Sequence, residues 1–227
     1  GMSHTIKNIL CGLQGGVYVV DSGLVRGRDD RVRTGWQMVK NNVGKISDLV
    51  QGILYASKER KPEQQFVDPV TILEDVSSLY EIRTRTEGIE LIRSFPKTLG
   101  LCALDPAGIH SALSNLVSNA LEACRRAEVL DPRTITIVGK REQDRLIFQV
   151  IDNGTGMPRE VKRKLFNKFF STKGAKGTGL GLVITRKVVE EHRGMMRVEC
   201  EPGKGTAFTI EIPIANTAEE NVREAAV

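Results

Sequence analysis

Hydrophobic residues near the start of the chain recur at alternating steps of four and three, the spacing of one face of a helix. The polar segment RGRDD at 26–30 interrupts this pattern. The pattern then resumes and ends before Pro62. The spacing predicts two long helices joined as an antiparallel hairpin. The two predicted stripes are Ile6, Leu10, Leu13, Val17, Val20 and Leu24, then Trp36, Val39, Val43, Ile46, Val50 and Ile53.

The two stripes need a surface that covers them, because a hairpin of about 60 residues is too small to bury both. We therefore predict that two copies of the chain pair as a four-helix bundle, which makes the protein a homodimer. Part of the first predicted helix also fits a different secondary structure, a β-strand. Gly15 and Gly16 beside the β-branched Val17, Val19 and Val20 also fit a short strand after a turn.

From about residue 66, patterns typical of helices and of strands alternate, and some strands are adjacent as in hairpins. This order predicts an α/β sandwich with a mixed sheet covered on one face, so the fold class is α+β. The predicted domains are a hairpin at 1–64, a sandwich at 65–215 and a tail at 216–227. The predicted helices of the sandwich lie at 70–80, 106–127, 158–166 and 179–193. Its predicted strands lie at 89–94, 100–104, 134–140, 145–151, 195–200 and 206–212.

The helix predicted over 106–127, with Asp105 as its N-cap, carries a polar stripe. Asn115, Asn119 and Glu122 lie at i, i+4 and i+7, opposite a buried side that we expect to hold six residues. Amide and carboxylate oxygens are ligands of the kind that Mg²⁺ accepts. The alternative is a solvated face on which Glu122 and Arg126 form an ion pair. The six residues are Ile109, Leu113, Leu116, Val117, Ala120 and Cys124.

The segment VIDNGTGMP at 150–158 places a carboxylate at the end of an apolar strand, followed by two glycines. Asp152 is able to accept a hydrogen bond from an exocyclic amine such as that of adenine. Gly154 and Gly156 allow the backbone to approach a ring or a phosphate closely. The alternative is an ordinary Asp-Asn-Gly turn.

The segment KGTGLGL at 176–182 opens a predicted helix with Gly177, Gly179 and Gly181. Backbone N–H groups at a helix N-terminus favour phosphate, although the spacing fits neither a Walker loop nor the dinucleotide fingerprint. The preceding segment, 159–176, carries seven Lys and Arg residues against one Glu. We interpret it as a cover for polyphosphate, with Phe166, Phe169 and Phe170 as its apolar anchors.

In this order and spacing, the chain resembles the Bergerat-fold ATPase domain of the GHKL superfamily. SNLVSNALEA corresponds to the N box, DNGTGMP to G1, KLFNKFFSTK to the F box and GTGLGL to G2. The resemblance implies ATP and Mg²⁺ as cofactors, with Asp152 recognising adenine and Asn119 and Asn115 holding the metal. The implied nucleotide contacts also include Gly154, Gly156, Lys173, Lys176, Gly177, Thr178, Gly179, Leu180, Gly181 and Thr206.

The sequence of the N-terminal hairpin indicates which family within this superfamily the chain resembles. SHTIKNIL at 3–10 resembles the H box of sensor histidine kinases, which implies that His4 is the phosphoacceptor and that Asn8, one turn later, shares its face. Neutral imidazole is a competent nucleophile near neutral pH. Thr5 departs from the family pattern, in which an acidic residue follows the histidine and takes its proton. The implied partner is the receiver domain of a response regulator.

Charge and composition disfavour nucleic-acid binding and membrane contact, and they indicate a cellular compartment. The net charge of +5 resides in residues 1–62, and the remainder is neutral with one local basic cluster, so nucleic-acid binding is disfavoured. No stretch reaches the roughly 18 apolar residues of a membrane span, so we expect no membrane contact by this part of the protein. Four widely spaced cysteines without a C-x-x-C pattern fit a reducing cytoplasm.

Two other functions are compatible with the motifs. Because of Thr5, the chain also fits a degenerate transmitter that binds nucleotide as a dimeric scaffold or acts as a response-regulator phosphatase. A GHKL ATPase of the chaperone or DNA-mismatch type is disfavoured, because those proteins lack an H box and depend on a carboxylate near the position of Asn115.

Overall fold

A computed structural model describes residues 2–57, 62–127, 132–167, 170–172 and 179–214. Two compact units are present, one of Gly1–Glu59 with Lys164–Ile184 and the other of Arg60–Arg163 with Thr185–Val227. The predicted tail, 216–227, lies outside the described residues, and the predicted boundary at 64 and 65 stays a prediction. Among the described helices, none combines the length and the hydropathy that crossing a bilayer requires.

The first unit contains a helical hairpin. Helix α1 spans Met2–Val25 and helix α2 spans Asp29–Ser57, with Gly27 in the left-handed conformation between them. Asp29 and Asp30 in the first turn of α2 favour the helix N-terminus electrostatically. The strand alternative for 17–20 is wrong, because these residues lie within α1.

Glycines form the closest contacts between α1 and α2. A Cβ atom placed on Gly35 would lie 2.7 Å from the backbone oxygen of Gly16 and 2.7 Å from the nitrogen of Val20. One placed on Gly12 would lie 2.7 Å from Oδ1 of Asn42. The Asn42 side chain is buried there and donates a hydrogen bond to the Met38 carbonyl at 2.8 Å. The helices therefore approach closely along a line of small residues.

The predicted apolar stripes flank this line instead of forming it. Ile9 and Leu49 are buried within the hairpin, whereas seven stripe residues are between 38% and 65% exposed in the single chain. Contact between α1 and α2 thus leaves most of the heptad pattern unpaired. The seven residues are Ile6, Leu10, Val17, Leu24, Trp36, Val43 and Val50.

The second unit is built on a five-stranded sheet of order β2-β4-β5-β7-β6. The β2–β4 pair is parallel and the other pairs are antiparallel, which confirms the predicted mixed sheet. A two-stranded sheet, β1–β3, was not expected. The strands are β1 Gln65–Val67, β2 Ile89–Ser94, β3 Cys102–Leu104, β4 Arg133–Glu142, β5 Arg145–Asp152, β6 Met195–Glu201 and β7 Gly205–Pro213.

The remaining helices follow the predicted order. Helix α3 spans Pro69–Thr86, six residues beyond its expected end, and α4 spans Pro106–Arg126. The shorter α5 and α6 span Arg159–Lys164 and Gly181–Glu191. Asp68 caps α3, its Oδ1 accepting from the Val70 N–H at 3.0 Å. Burial raises the pKa of this carboxyl, but the hydrogen bonds that it accepts from Thr98, Val70 and Leu99 outweigh that effect and lower it.

The core lies between α4 and the inner face of the sheet. All six residues that were expected on the buried side of α4 are buried. On β5, Leu146, Phe148 and Val150 alternate inward and are at most 1% exposed. Asp152 follows in the same alternation, so a carboxylate ends an otherwise apolar row.

The close contact at Gly35 yields a stability prediction. Gly35→Ala should lower the free energy of unfolding by about 1–3 kcal/mol, because its methyl group meets backbone atoms. Gly44→Ala is the matched control, since a Cβ there meets nothing within 4 Å, and it should stabilise α2 by about 1 kcal/mol. Urea unfolding followed by fluorescence of Trp36, the single tryptophan, reports on the hairpin. Equal effects of the two variants would contradict the close packing.

Candidate functional site

Asp152 is a buried carboxylate of the second unit. It is 5% exposed, and its Oδ1 accepts a hydrogen bond from the Gly154 N–H at 2.9 Å. Thr206, also buried, faces it in the β5–β7 register. Burial raises the pKa of Asp152 to about 6, although hydrogen bonds from the Gly154 and Thr206 backbones oppose the shift. Such a group is a candidate for function, since nothing in the apolar row requires it.

The loop after Asp152 is fixed against α4 and the β6–β7 turn. A Cβ atom on Gly154 would lie 2.5 Å from the carbonyl carbon of Ala123, and the Thr155 N–H donates to the Ala123 oxygen at 3.3 Å. Gly156 has a φ of +59°, and a Cβ there would collide with the backbone oxygen of Glu201. These two glycines thus allow the loop to pack on the protein itself, which is a different reason from the one that the sequence suggested.

Asn153 was not predicted as a site residue, yet it holds the loop from the other side. Its Nδ2 donates to the Pro132 carbonyl at 2.9 Å, and its Oδ1 accepts from the Thr134 N–H at 2.8 Å. Both partners lie where β4 begins. An asparagine directly after a strand is a weak signal of such a turn.

Helix α4 carries the predicted metal ligands. Asn115 and Asn119 are half-buried. They share a face with Ala123, because the three residues follow one another at steps of four. The backbone and Cβ of Ala123 lie against Gly154 and Thr155 of the loop after Asp152. Asn119 is one turn and Asn115 two turns from this contact, on the same face of α4.

Glu122 does not extend this stripe as a ligand. Its carboxylate pairs with Arg126 at 3.2 Å and with Arg125 at 3.7 Å. The predicted surface ion pair with Arg126 is confirmed.

The N-terminus of α4 is held by a residue that sequence reasoning missed. The predicted N-cap is confirmed, with Asp105 Oδ1 accepting from the Gly108 N–H at 3.1 Å. The Asp105 N–H donates to Nε2 of the buried His192 at 2.9 Å. The Nδ1 of His192 lies 2.7 Å from the Val188 carbonyl and donates to it, which assigns the ring's tautomer. His192 thus joins the end of α6 to the start of α4.

The glycine-rich segment is described only in part. Gly179 has a φ of +67°, Leu180 is buried, and α6 begins at Gly181. The Leu180 carbonyl accepts from the Ile184 N–H at 2.9 Å, in the first turn of the helix. The predicted positions Lys173, Lys176, Gly177 and Thr178 lie outside the described residues, as does Phe169.

The predicted phosphoacceptor segment forms the first turns of α1. His4, Thr5 and Asn8 all lie within this helix. The side chains of His4 and Thr5 lie outside the described part of the chain, so their roles stay predictions.

Similarity to known proteins agrees with this geometry. The sequence-family model of the histidine kinase-, DNA gyrase B- and HSP90-like ATPases matches residues 104–216 of this chain. Over 94% of its length the chain is 31% identical to the sensory histidine kinase/phosphatase NtrB of Vibrio alginolyticus, and it spans 61% of that protein. It spans less than half the length of several other curated kinases.

Two solved structures of the histidine kinase ThkA are also similar. Its catalytic domain is 31% identical, with a TM-score of 0.58 over 66% of this chain and 95% of that one. ThkA in complex with the response regulator protein TrrA is 24% identical, with a TM-score of 0.70 over 94% of this chain and 62% of that one. The second likeness shows that the fold covers the hairpin as well as the α/β unit.

The second unit is therefore an ATPase domain of the histidine kinase, gyrase B and HSP90-like class. The chain belongs to the histidine kinase family and forms a transmitter region, in which a helical hairpin precedes that domain. The predicted fold class is confirmed.

Burial of Asp152 predicts a pH-dependent cost in stability. Between about pH 4 and pH 6 the folded chain retains a proton that the unfolded chain has lost, so the free energy of unfolding falls as pH rises through this window. Asp152→Asn keeps an oxygen for the Gly154 N–H and removes the titration. In the absence of nucleotide it should be more stable at pH 7 by about 2–3 kcal/mol and equal to the unmodified protein near pH 4.

Urea unfolding followed by circular dichroism at pH 4 to 8 measures this difference. Asp144→Asn, the same change at an exposed turn, should have little effect at either pH. A loss of stability in Asp152→Asn at pH 7 would contradict the assigned cost of burial.

Proposed function

We propose that the chain is the transmitter region of a two-component sensor histidine kinase, which binds Mg-ATP, phosphorylates His4 and passes the phosphoryl group to an aspartate of a response regulator. The observation that carries the proposal is Asp152, a buried carboxylate that ends the apolar inner row of β5 beside Thr206. The likeness to histidine kinases supports this function. The response regulator as partner is inferred from ThkA, which has been solved with one.

Adenine recognition follows from the protonation state of Asp152. With a pKa of about 6, the carboxylate is mostly ionised at pH 7 and accepts a hydrogen bond from the exocyclic amine of adenine. That contact also offsets the cost of burying the charge, because the carboxylate gains a donor. Thr206 supports the same side of the base.

The remaining contacts neutralise the triphosphate. Asn119 and Asn115 present amide oxygens, which suit Mg²⁺, on the face of α4 whose Ala123 contacts the Asp152 loop. When bound, Mg²⁺ neutralises charge on the phosphate oxygens. We assign phosphate contacts to Gly177, Thr178, Gly179, Leu180 and Gly181 before and at the start of α6, and lysine contacts to Lys173 and Lys176.

The transfer needs a neutral imidazole at His4. One ring nitrogen attacks the γ-phosphorus, a P–N bond forms, the bond to the bridging oxygen breaks, and ADP leaves. The attacking histidine then loses one proton to water, since Thr5 is not a base. In the second step the P–N bond breaks as an aspartate oxygen of the regulator takes the phosphoryl group, and the released histidine takes a proton back from water. Asn8, one turn after His4, is assigned to orient this part of the helix.

Pairing of two chains is the second part of the proposal. The hairpin leaves Trp36, Val43 and Val50 of α2, and Val17 of α1, about half exposed. Heptad residues of this kind pack against a second hairpin in a four-helix bundle. A second copy of this chain supplies the matching stripe.

A charge in the stripe tests this pairing. Val43→Glu should convert a dimer into a monomer, because the carboxylate would be buried at the interface. Gln37→Glu introduces the same charge about 120° around α2 from Val43, at an exposed position outside the stripe, and should leave the dimer intact. Light scattering after size-exclusion chromatography measures the mass. A dimer that persists in Val43→Glu, or is lost equally in both variants, would contradict this interface.

Loss of the phosphoacceptor tests the chemistry. His4→Gln should abolish incorporation of acid-labile ³²P from labelled ATP, because glutamine has no nucleophilic nitrogen, while fluorescent ATP still binds. Asp152→Asn is the complementary variant, which should lose nucleotide binding. Full labelling of His4→Gln would exclude His4 as the acceptor.

Thr5 favours a second candidate function, that of a transmitter without autokinase activity that binds nucleotide as a scaffold or acts on a phosphorylated response regulator. A combined kinase and phosphatase occurs among the relatives. Thr5→Glu restores a base beside His4. If the missing base limits a weak autokinase, the labelling rate should rise; an unchanged rate would count against Thr5 as the cause.

A further inference from the structure

Tyr80 joins α3 to the middle of α4. Its hydroxyl donates a hydrogen bond to the Ser114 carbonyl at 3.0 Å, and Ser118 lies one turn further along α4. Burial raises the pKa of Tyr80, although Arg83 and the two serines oppose the shift. At neutral pH the phenol therefore keeps the proton that it donates.

The two serines directly precede the two asparagines assigned to Mg²⁺. Ser114 comes before Asn115, and Ser118 comes before Asn119. Consecutive residues of a helix are separated by a fixed angle of about 100° around its axis. A contact that fixes the direction of the serine face consequently fixes the direction of the asparagine face.

The buried apolar side of α4 packs against the core and sets the approximate rotation of the helix, to which the Tyr80 hydrogen bond adds one directional contact. A rotation of about 10° moves an atom that lies about 6 Å from the helix axis by about 1 Å, which is enough to weaken a metal contact. His192 and Thr155 contact the ends of α4, whereas Tyr80 contacts its middle, beside the asparagines.

We propose that Tyr80 is a positioning residue whose hydroxyl sets the rotation of α4 about its axis, and thereby aims the amide oxygens of Asn115 and Asn119 at the Mg²⁺ of the bound nucleotide. The inference rests on the proposed function, because it presupposes that this chain binds Mg-ATP. We assign Tyr80 itself no contact with nucleotide or metal.

Tyr80→Phe removes the hydroxyl and keeps the ring. Titration of ATP by calorimetry, with Mg²⁺ and then with EDTA, separates the metal-dependent part of the affinity from the remainder. We expect Tyr80→Phe to weaken ATP binding about five- to tenfold in Mg²⁺ and to leave it unchanged in EDTA. Ser118→Ala removes the hydroxyl that opposes the raised pKa of Tyr80 and should shift the Mg²⁺-dependent affinity in the same direction.

Ser77→Ala is the matched control. Its buried hydroxyl also lies on α3 but donates to the Leu73 carbonyl of the same helix, so its loss should lower stability without changing the ratio of the two affinities. An unchanged ratio in Tyr80→Phe, or an equal change in Ser77→Ala, would overturn the positioning role. Failure of the unmodified chain to bind ATP in Mg²⁺ would instead overturn the proposed function, and the inference with it.

Discussion

The contact between Gly154 and the backbone of α4 at Ala123 is the constraint on which the candidate site depends. No side chain separates the two segments, so the loop after β5 rests directly on the helix. The position of the loop determines where Asp152 ends its strand, and the same turn of α4 determines where Asn119 lies. Two groups from distant parts of the chain are thereby held in a fixed relation before any ligand binds, which is what preorganised recognition requires.

The same region shows how the fold accommodates a destabilising group. Asp152 occupies a position where a leucine or valine would continue the row of Leu146, Phe148 and Val150. Backbone N–H groups from Gly154 and Thr206 lessen the cost without removing it, since the pKa stays raised. A buried carboxylate that is only partly satisfied is suited to binding a donor from outside the protein.

Local periodicity predicted the helices, most strand limits, the Asp105 cap and the buried side of α4, because each depends on residues a few positions apart. It did not predict His192, whose partner is 87 positions away, or Asn153, whose partners lie at the start of another strand. The heptad pattern located an apolar surface on the hairpin, but glycines form the closest contact within one chain. Hydrophobicity scales give little weight to glycine, so the line along which two backbones approach is not visible in the pattern.

The hydrogen bond between Asp105 and His192 also limits how early the α/β domain completes its fold during synthesis. During synthesis α1 and α2 emerge before α3 and α4. The N–H of Asp105, the N-cap of α4, has no His192 to donate to until 87 further residues have been translated, and the strand of Thr206, which pairs with that of Asp152, is translated later still. The candidate site therefore becomes complete only after the segment that carries Thr206 has been synthesised, well after both helices of the hairpin.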